Sequence, residues 1–341
     1  MSAIPTNVPA VGPEAADGDS APPGGSRGRR KATGRESGRA PRSERARAEA
    51  RLGWWLAGPA FVIMVAVIFY PVAKAVWDSL FSYRLTAPAD REFIGLQNYG
   101  TILTDGVFWS ALGVTALITV VTVFVELILG FLLALVMHKA IKSTRGLVRT
   151  VILVPYGIIT VVSAYAWYYM FSIDSGYVNN WLSWVPGFND EMNWFAQGGT
   201  SLVVIMFSEI WKTTPFISLL LLAGLAQVPD DLSEAAAVDG ANWWQRLGKV
   251  VLPNMKAAIM VAVLFRALDA FRVFDSIFIM TNGAYGTEVL SLLAYRTSIG
   301  RLEIGLGSAI SVVLFLCVAL IAFVAVKVFN VDLAGSKGGR K

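Results

Sequence analysis

Six long apolar blocks limit what this chain can fold into. They run approximately over 54–77, 111–137, 147–172, 201–225, 257–280 and 304–329. About 20 consecutive apolar residues let a helix cross the hydrocarbon of a bilayer. A closed β-barrel is excluded, because its strands would alternate apolar and polar residues in stretches of about ten. Only 16% of the residues are charged, against about 25% in ordinary soluble domains. Low charge alone would also fit one large buried core, but continuous blocks of this length do not. The expected fold class is an all-α polytopic membrane protein with six transmembrane helices.

Basic residues orient the spans, because cytoplasmic segments collect Lys and Arg. With the N-terminus inside, the inner segments hold 21 of the 29 Lys and Arg and the outer loops only four. Ten of them lie in residues 1–54, in the stretch GGSRGRRKATGRESGRAPRSERARAEAR and its flanks. That stretch has too few large apolar residues to bury a core, so residues 1–50 are expected to be a disordered basic cytoplasmic tail. Its charge then serves topology and lipid headgroups, not nucleic acid. It is not read as a cleavable signal, since the apolar run behind it is too long. The expected division is the tail, a first span in 51–80, an extracellular loop in 81–110, a core of five spans in 111–330 and a cytoplasmic tail in 331–341. Both termini are placed in the cytoplasm of a cell membrane. The outer loop 173–200 holds Trp181, Trp184 and Trp194. Two readings stand for it, an interfacial aromatic belt or a docking surface for an external partner.

One inner segment, 226–256, is amphipathic. Pro229 suits the start of a helix, and Asp230 and Asp231 favour that end of its dipole. Gly240 can take the left-handed conformation that ends it. Asn242 can cap a second helix through Trp243, Trp244, Leu247 and Val250, and Pro253 is expected to close it. A helix this short is not stable alone. It is either an interfacial hairpin or a knob that inserts into a cytoplasmic partner.

Here the chain resembles a known family. Glu234-Ala235-Ala236, then Gly240 after three residues, then Val250, Leu252 and Pro253 repeat the cytoplasmic-loop signature of permease subunits in binding-protein-dependent ABC importers. LVRTVILVPY (147–156), GYVNNWL (176–182), LAGLAQVPDDLSEAAAVDGA (222–241) and FRVFDSIFIMTNGAYGTEVL (271–290) resemble the maltose-type sugar permeases, including actinobacterial trehalose permeases. Two departures are visible. Asn282-Gly283-Ala284-Tyr285 stands where the family has a glycine-rich stretch, and a proline usual after Leu252-Pro253 is absent. The resemblance implies a type I ABC importer permease fold with a cytoplasmic coupling helix. It implies that Glu234, Ala235, Ala236, Asp239 and Gly240 form the ATPase-coupling site. The implied partners are a second homologous permease, two ATPase subunits, an extracellular solute-binding lipoprotein, membrane lipid and a sugar, with trehalose as an example.

The chain carries no catalytic site that can be read. It lacks the G-x-x-x-x-G-K-[ST] phosphate cradle, its single His138 cannot complete a nucleophile–base set, and no metal cluster is expected. ATP and Mg are expected on the partner ATPase, with no cofactor on this chain. Charges inside spans are costly and read as functional. Glu126 lies in the second block, Glu209 and Lys212 in the fourth, and Arg266, Asp269, Arg272 and Asp275 recur every third residue in the fifth. They are either an ion-paired strut, with Arg266 snorkelling to the inner face, or the lining of a sugar path. The candidate path residues are Glu126, Trp211, Phe271, Phe274, Asp275 and Asn282, with Tyr295 as a further ring. Pro215 is either a helix break that frees carbonyls or a kink. Rival functions are an ABC importer for glycerol phosphate or polyamine, a secondary transporter, and a membrane scaffold. A secondary transporter would be expected to show inverted repeats, and none is visible.

Overall fold

The computed structural model describes residues 44–140, 144–186 and 191–329. Residues 141–143 and 187–190 and the tails at 1–43 and 330–341 lie outside the described residues. The chain divides into two units, Met1–Ala60 and Phe61–Lys341. The first contributes the start of helix α1, Glu44–Asp78, which therefore begins before residue 51. Ala, Arg and Glu are strong helix formers, so ERARAEAR extends the helix into the expected tail. The second unit carries the rest.

After α1 comes a ribbon of β1, Phe81–Ser82, and β2, Glu92–Phe93, paired antiparallel with Phe81 opposite Phe93. Then follow α2, Gln97–Thr104, and α3, Gly106–Lys139. Asp105 caps α3 by accepting from the Val107 N–H. Next are α4, Arg145–Gly157, α5, Thr160–Met170, α6, Val178–Leu182, and α7, Gly198–Leu225. A hairpin of α8, Asp230–Val238, and α9, Trp243–Arg246, leads through a π-turn at Leu247–Val251 into α10, Leu252–Asn254. The last helices among the described residues are α11, Lys256–Ala270, α12, Asp275–Met280, α13, Leu290–Tyr295, and α14, Ile304–Phe329.

Four of the six apolar blocks are continuous helices long enough to cross a membrane, and two are broken. The third block is α4 and α5, bent by 86°. Pro155 removes one helical donor, and β-branched Ile158 and Ile159 adopt extended ψ of 133° and 135°. The fifth block is not one rod either. Helix α11 stops at Ala270, and α12 restarts only at Asp275. At about 1.5 Å per residue, α11 alone falls short of a full crossing. Helix α7, in contrast, runs unbroken through Pro215. Thr214 Oγ1 donates to the Ile210 carbonyl and Ser218 Oγ to the Pro215 carbonyl, so both neighbouring hydroxyls bond back to the helix beside the proline.

The centre of the bundle is the pair α3 and α7. The inward stripe of α3 carries Ala111, Thr115, Ile118, Thr122, Glu126, Gly130, Ala134 and Met137, spaced three or four apart. Gly130 is required there, since a Cβ would stand 2.7 Å from Ile217 Cγ2 of α7. One apolar cluster, with Ile118, Ile205 and Ile277, lies on one side of mid-height. Another, with Ala134, Met137, Ile217 and Leu221, lies on the other. Glu126 and Glu209 fall between them along their own helices.

Candidate functional site: a charged cavity at mid-height

Between these two clusters, Arg266 of α11 reaches three carboxylates. Its Nε donates to Glu126 Oε2 at 2.5 Å and its Nη2 to Glu126 Oε1 at 3.0 Å, a two-pronged pairing. Its Nη1 donates to Asp269 Oδ2 at 2.8 Å, and Nη2 lies 3.6 Å from Glu209 Oε2. Thr213 Oγ1 donates to Glu126 Oε1 at 2.7 Å, and Ser276 Oγ of α12 donates to Glu209. Arg266 is 1% exposed and Glu126 is fully buried. The snorkelling expected of Arg266 does not occur, because two carboxylates from other helices hold it inside.

This network closes one wall of a 390 Å³ cavity. Its charged lining holds Glu209, Asp269 and Asp275 against Lys212, Arg266 and Arg272, so formal charges balance. Phe274, Tyr156 and Thr160 complete it with Thr213 and Val273. A volume in the range of about 300–1,000 Å³ suits a small-molecule ligand. The break between α11 and α12 lines the cavity through Arg272–Asp275. Ser291 Oγ donates to the Val273 carbonyl there and holds the broken turn. With α11 ended at Ala270, the three-residue alternation of charge yields one pair, Arg266–Asp269, and does not continue as a ladder.

Of the candidate path residues, Phe274 and Asp275 line the cavity, as do the mid-span charges Glu209, Lys212, Arg266, Asp269 and Arg272. Glu126 stands behind its wall through Arg266. The Phe274 ring packs on Phe278 and Tyr295 at centroid distances of 5.3 Å each. Three candidates lie elsewhere. Trp211 faces a 510 Å³ apolar groove with Leu129, Val151 and Pro155. Phe271 is buried against Ile102, Phe108 and Leu290. Asn282 is exposed in a turn after α12, at φ 48°, followed by Gly283 at φ 75°. Sequence reasoning missed Thr213, Ser276, Tyr156 and Thr160. Only Thr213 left a signal, as a hydroxyl one helical turn from Glu209.

The hairpin has the expected geometry. Ala241 N–H donates to the Ala236 carbonyl and Gly240 N–H to Ala237, with Gly240 at φ 82°, a Schellman closure. Asn242 and Gln245 cap each other's backbone at 2.9 and 2.8 Å. Pro229 precedes α8 as its cap residue. Pro253 does not end the second helix, because helical backbone carries on into α10. Glu234, Ala235, Asp239 and Gly240 are exposed and Ala236 is half-buried. Val238 is 87% and Trp244 73% exposed. In the segment 173–200, Trp194 is buried and donates to Asn179, while Trp181 and Trp184 stay exposed.

Residues 126–333 match the family described as the binding-protein-dependent transport system inner membrane component. The chain belongs to this family. It is 50% identical over 290 residues to the trehalose transport system permease protein SugA of Mycobacterium tuberculosis, covering 85% of this chain and 92% of that one. It is 37% identical over 283 residues to the trehalose/maltose transport system permease protein MalF of Thermococcus litoralis, covering 82% and 94%. A bacterial ABC transporter involved in the import of the acidic polysaccharide alginate has the same fold. Its TM-score is 0.72 at 23% identity, covering 84% of this chain and 99% of that one. The fold is thus that of a type I ABC importer permease, a membrane-embedded transport component.

Proposed function

We propose that this chain forms half of the translocation pathway of an ATP-driven importer for a sugar, a disaccharide such as trehalose. The identity to the mycobacterial permease over nearly its whole length carries this reading. The cavity supports it. A sugar offers hydroxyls to charges of both signs and an apolar ring face to Phe274. Asp275 and Phe274 are the pathway residues on this reading, with Glu126 positioning Arg266.

The rest of the machine follows from the same reading. A second permease completes the channel, and a solute-binding protein delivers the sugar from outside. Two ATPase subunits bind ATP and Mg and receive α8, with Glu234 facing their groove and Gly240 giving the turn. Termini lie in the cytoplasm of the cell membrane of an actinobacterium. Deleting the gene should abolish uptake of radiolabelled trehalose, and the full chain should restore it. Uptake that survives deletion overturns the proposal. Restoration that persists when the partner ATPase cannot hydrolyse ATP overturns its ATP-driven part.

A further inference from the structure

A second pocket, of 320 Å³, lies where α3 ends and the hairpin is rooted. Its floor is apolar, with Leu135 of α3, Leu225, Val228, Leu247 and Val251. Its rim carries His138, Lys139 and Arg246, opposed by one carboxylate, Asp230. Among the described residues none of these four side chains is ion-paired. Arg246 Nε is buried without a hydrogen-bond partner. A buried guanidinium nitrogen left this way costs free energy unless an acceptor arrives. Trp243 also lines the pocket, and indoles favour the headgroup level of a membrane.

We propose that this pocket binds one anionic phospholipid, with its phosphate at Lys139 and Arg246 and the top of an acyl chain along the apolar floor. A free phosphate would use the rim but leave the floor in water. A zwitterionic lipid would use the floor but bring no net charge to the rim. Exposed Leu132 and Val136 carry the outward apolar surface of α3 up to His138 at the pocket, which sets it at the depth where headgroup and chain meet. The bound lipid would join the end of α3 to both arms of the hairpin and brace its root. This inference rests on the membrane fold and on no particular cargo.

The test is native mass spectrometry of the full chain purified in detergent, titrated with phosphatidylglycerol or phosphatidylcholine of identical acyl chains. The wild type should retain phosphatidylglycerol preferentially. Lys139→Gln and Arg246→Gln should each lower its retention about fivefold, the attraction of one cation for an anionic lipid surface. Phosphatidylcholine retention should not change. Asp230→Asn should act in the opposite direction and strengthen phosphatidylglycerol binding, so a poorly folding Arg246 variant does not remove the test. Equal retention of both lipids overturns the proposal, as does an unchanged preference in the Lys139 and Asp230 variants. Displacement of the lipid by excess inorganic phosphate would mark a simple anion site. Loss of the lipid on adding the ATPase subunits would assign the pocket to that protein contact.

Discussion

Arg266 is the residue whose removal the molecule should tolerate least. It holds Glu126 by two hydrogen bonds and approaches Glu209, both in the bundle interior. Removing one member of such a group leaves an uncompensated buried charge, at a cost of about 3–5 kcal/mol. Arg266→Met should therefore lower the detergent melting temperature sharply and abolish uptake. Replacing both partners, with Glu126→Leu added, should recover much of the stability but not the transport. If the double variant melts no higher than the single one, the pair is not coupled. Thr213→Val removes one donor to Glu126 and should cost about 1 kcal/mol. The sequence marked each of these charges as misplaced in an apolar block. It could not pair Glu126 with Arg266, because 140 residues separate them and only the packing of α3 on α7 and α11 brings them together.

At the scale of elements, the hairpin was legible because its punctuation is local. Gly240 and Asn242 act through backbone groups within five residues. Apart from Gly240 itself and its two chain neighbours, no heavy atom lies within 4 Å of where its Cβ would stand. Gly240→Ala thus meets only the backbone penalty of a left-handed residue, about 1–3 kcal/mol. It should leave protein abundance near wild type while lowering uptake and ATPase stimulation together. An unchanged uptake rate would separate the turn from coupling. The break after Ala270 was not legible. No Gly or Pro marks it, and Phe271, Arg272 and Val273 are all compatible with a continuing helix. Tertiary bonds hold that break, with Ser276 on Glu209 and Ser291 on the Val273 carbonyl. The bend at Ile158 had a visible cause in Pro155, yet the block's hydrophobicity hid it. Trp211 was misplaced for a related reason, since a ring on a helix does not announce whether it faces cavity or lipid.

For the whole molecule, the side of the membrane is the testable quantity. The structure sets His138 and Lys139 beside 228–251, so those two basic segments share a face. Cys317 is the lone cysteine and can be replaced by Ala. In that background, Ala237→Cys should react with an impermeant maleimide only from the cytoplasmic side. Thr86→Cys, in the exposed loop after β1, should react only from outside. The reverse pattern would invert the topology and remove the basis for ATPase docking.

The missing Cβ at Gly130 also governs how such a bundle can move. Ile217 sits so close to that glycine that α3 and α7 cannot slide past each other without first separating. They are a single spar. Flexure must then fall to the interrupted pairs, at Ile158–Ile159 and at 271–274, whose neighbours Tyr156, Thr160 and Asp275 line the same cavity. Spin-label distances between α3 and α7 should stay constant through a nucleotide cycle, while distances from either to α12 change.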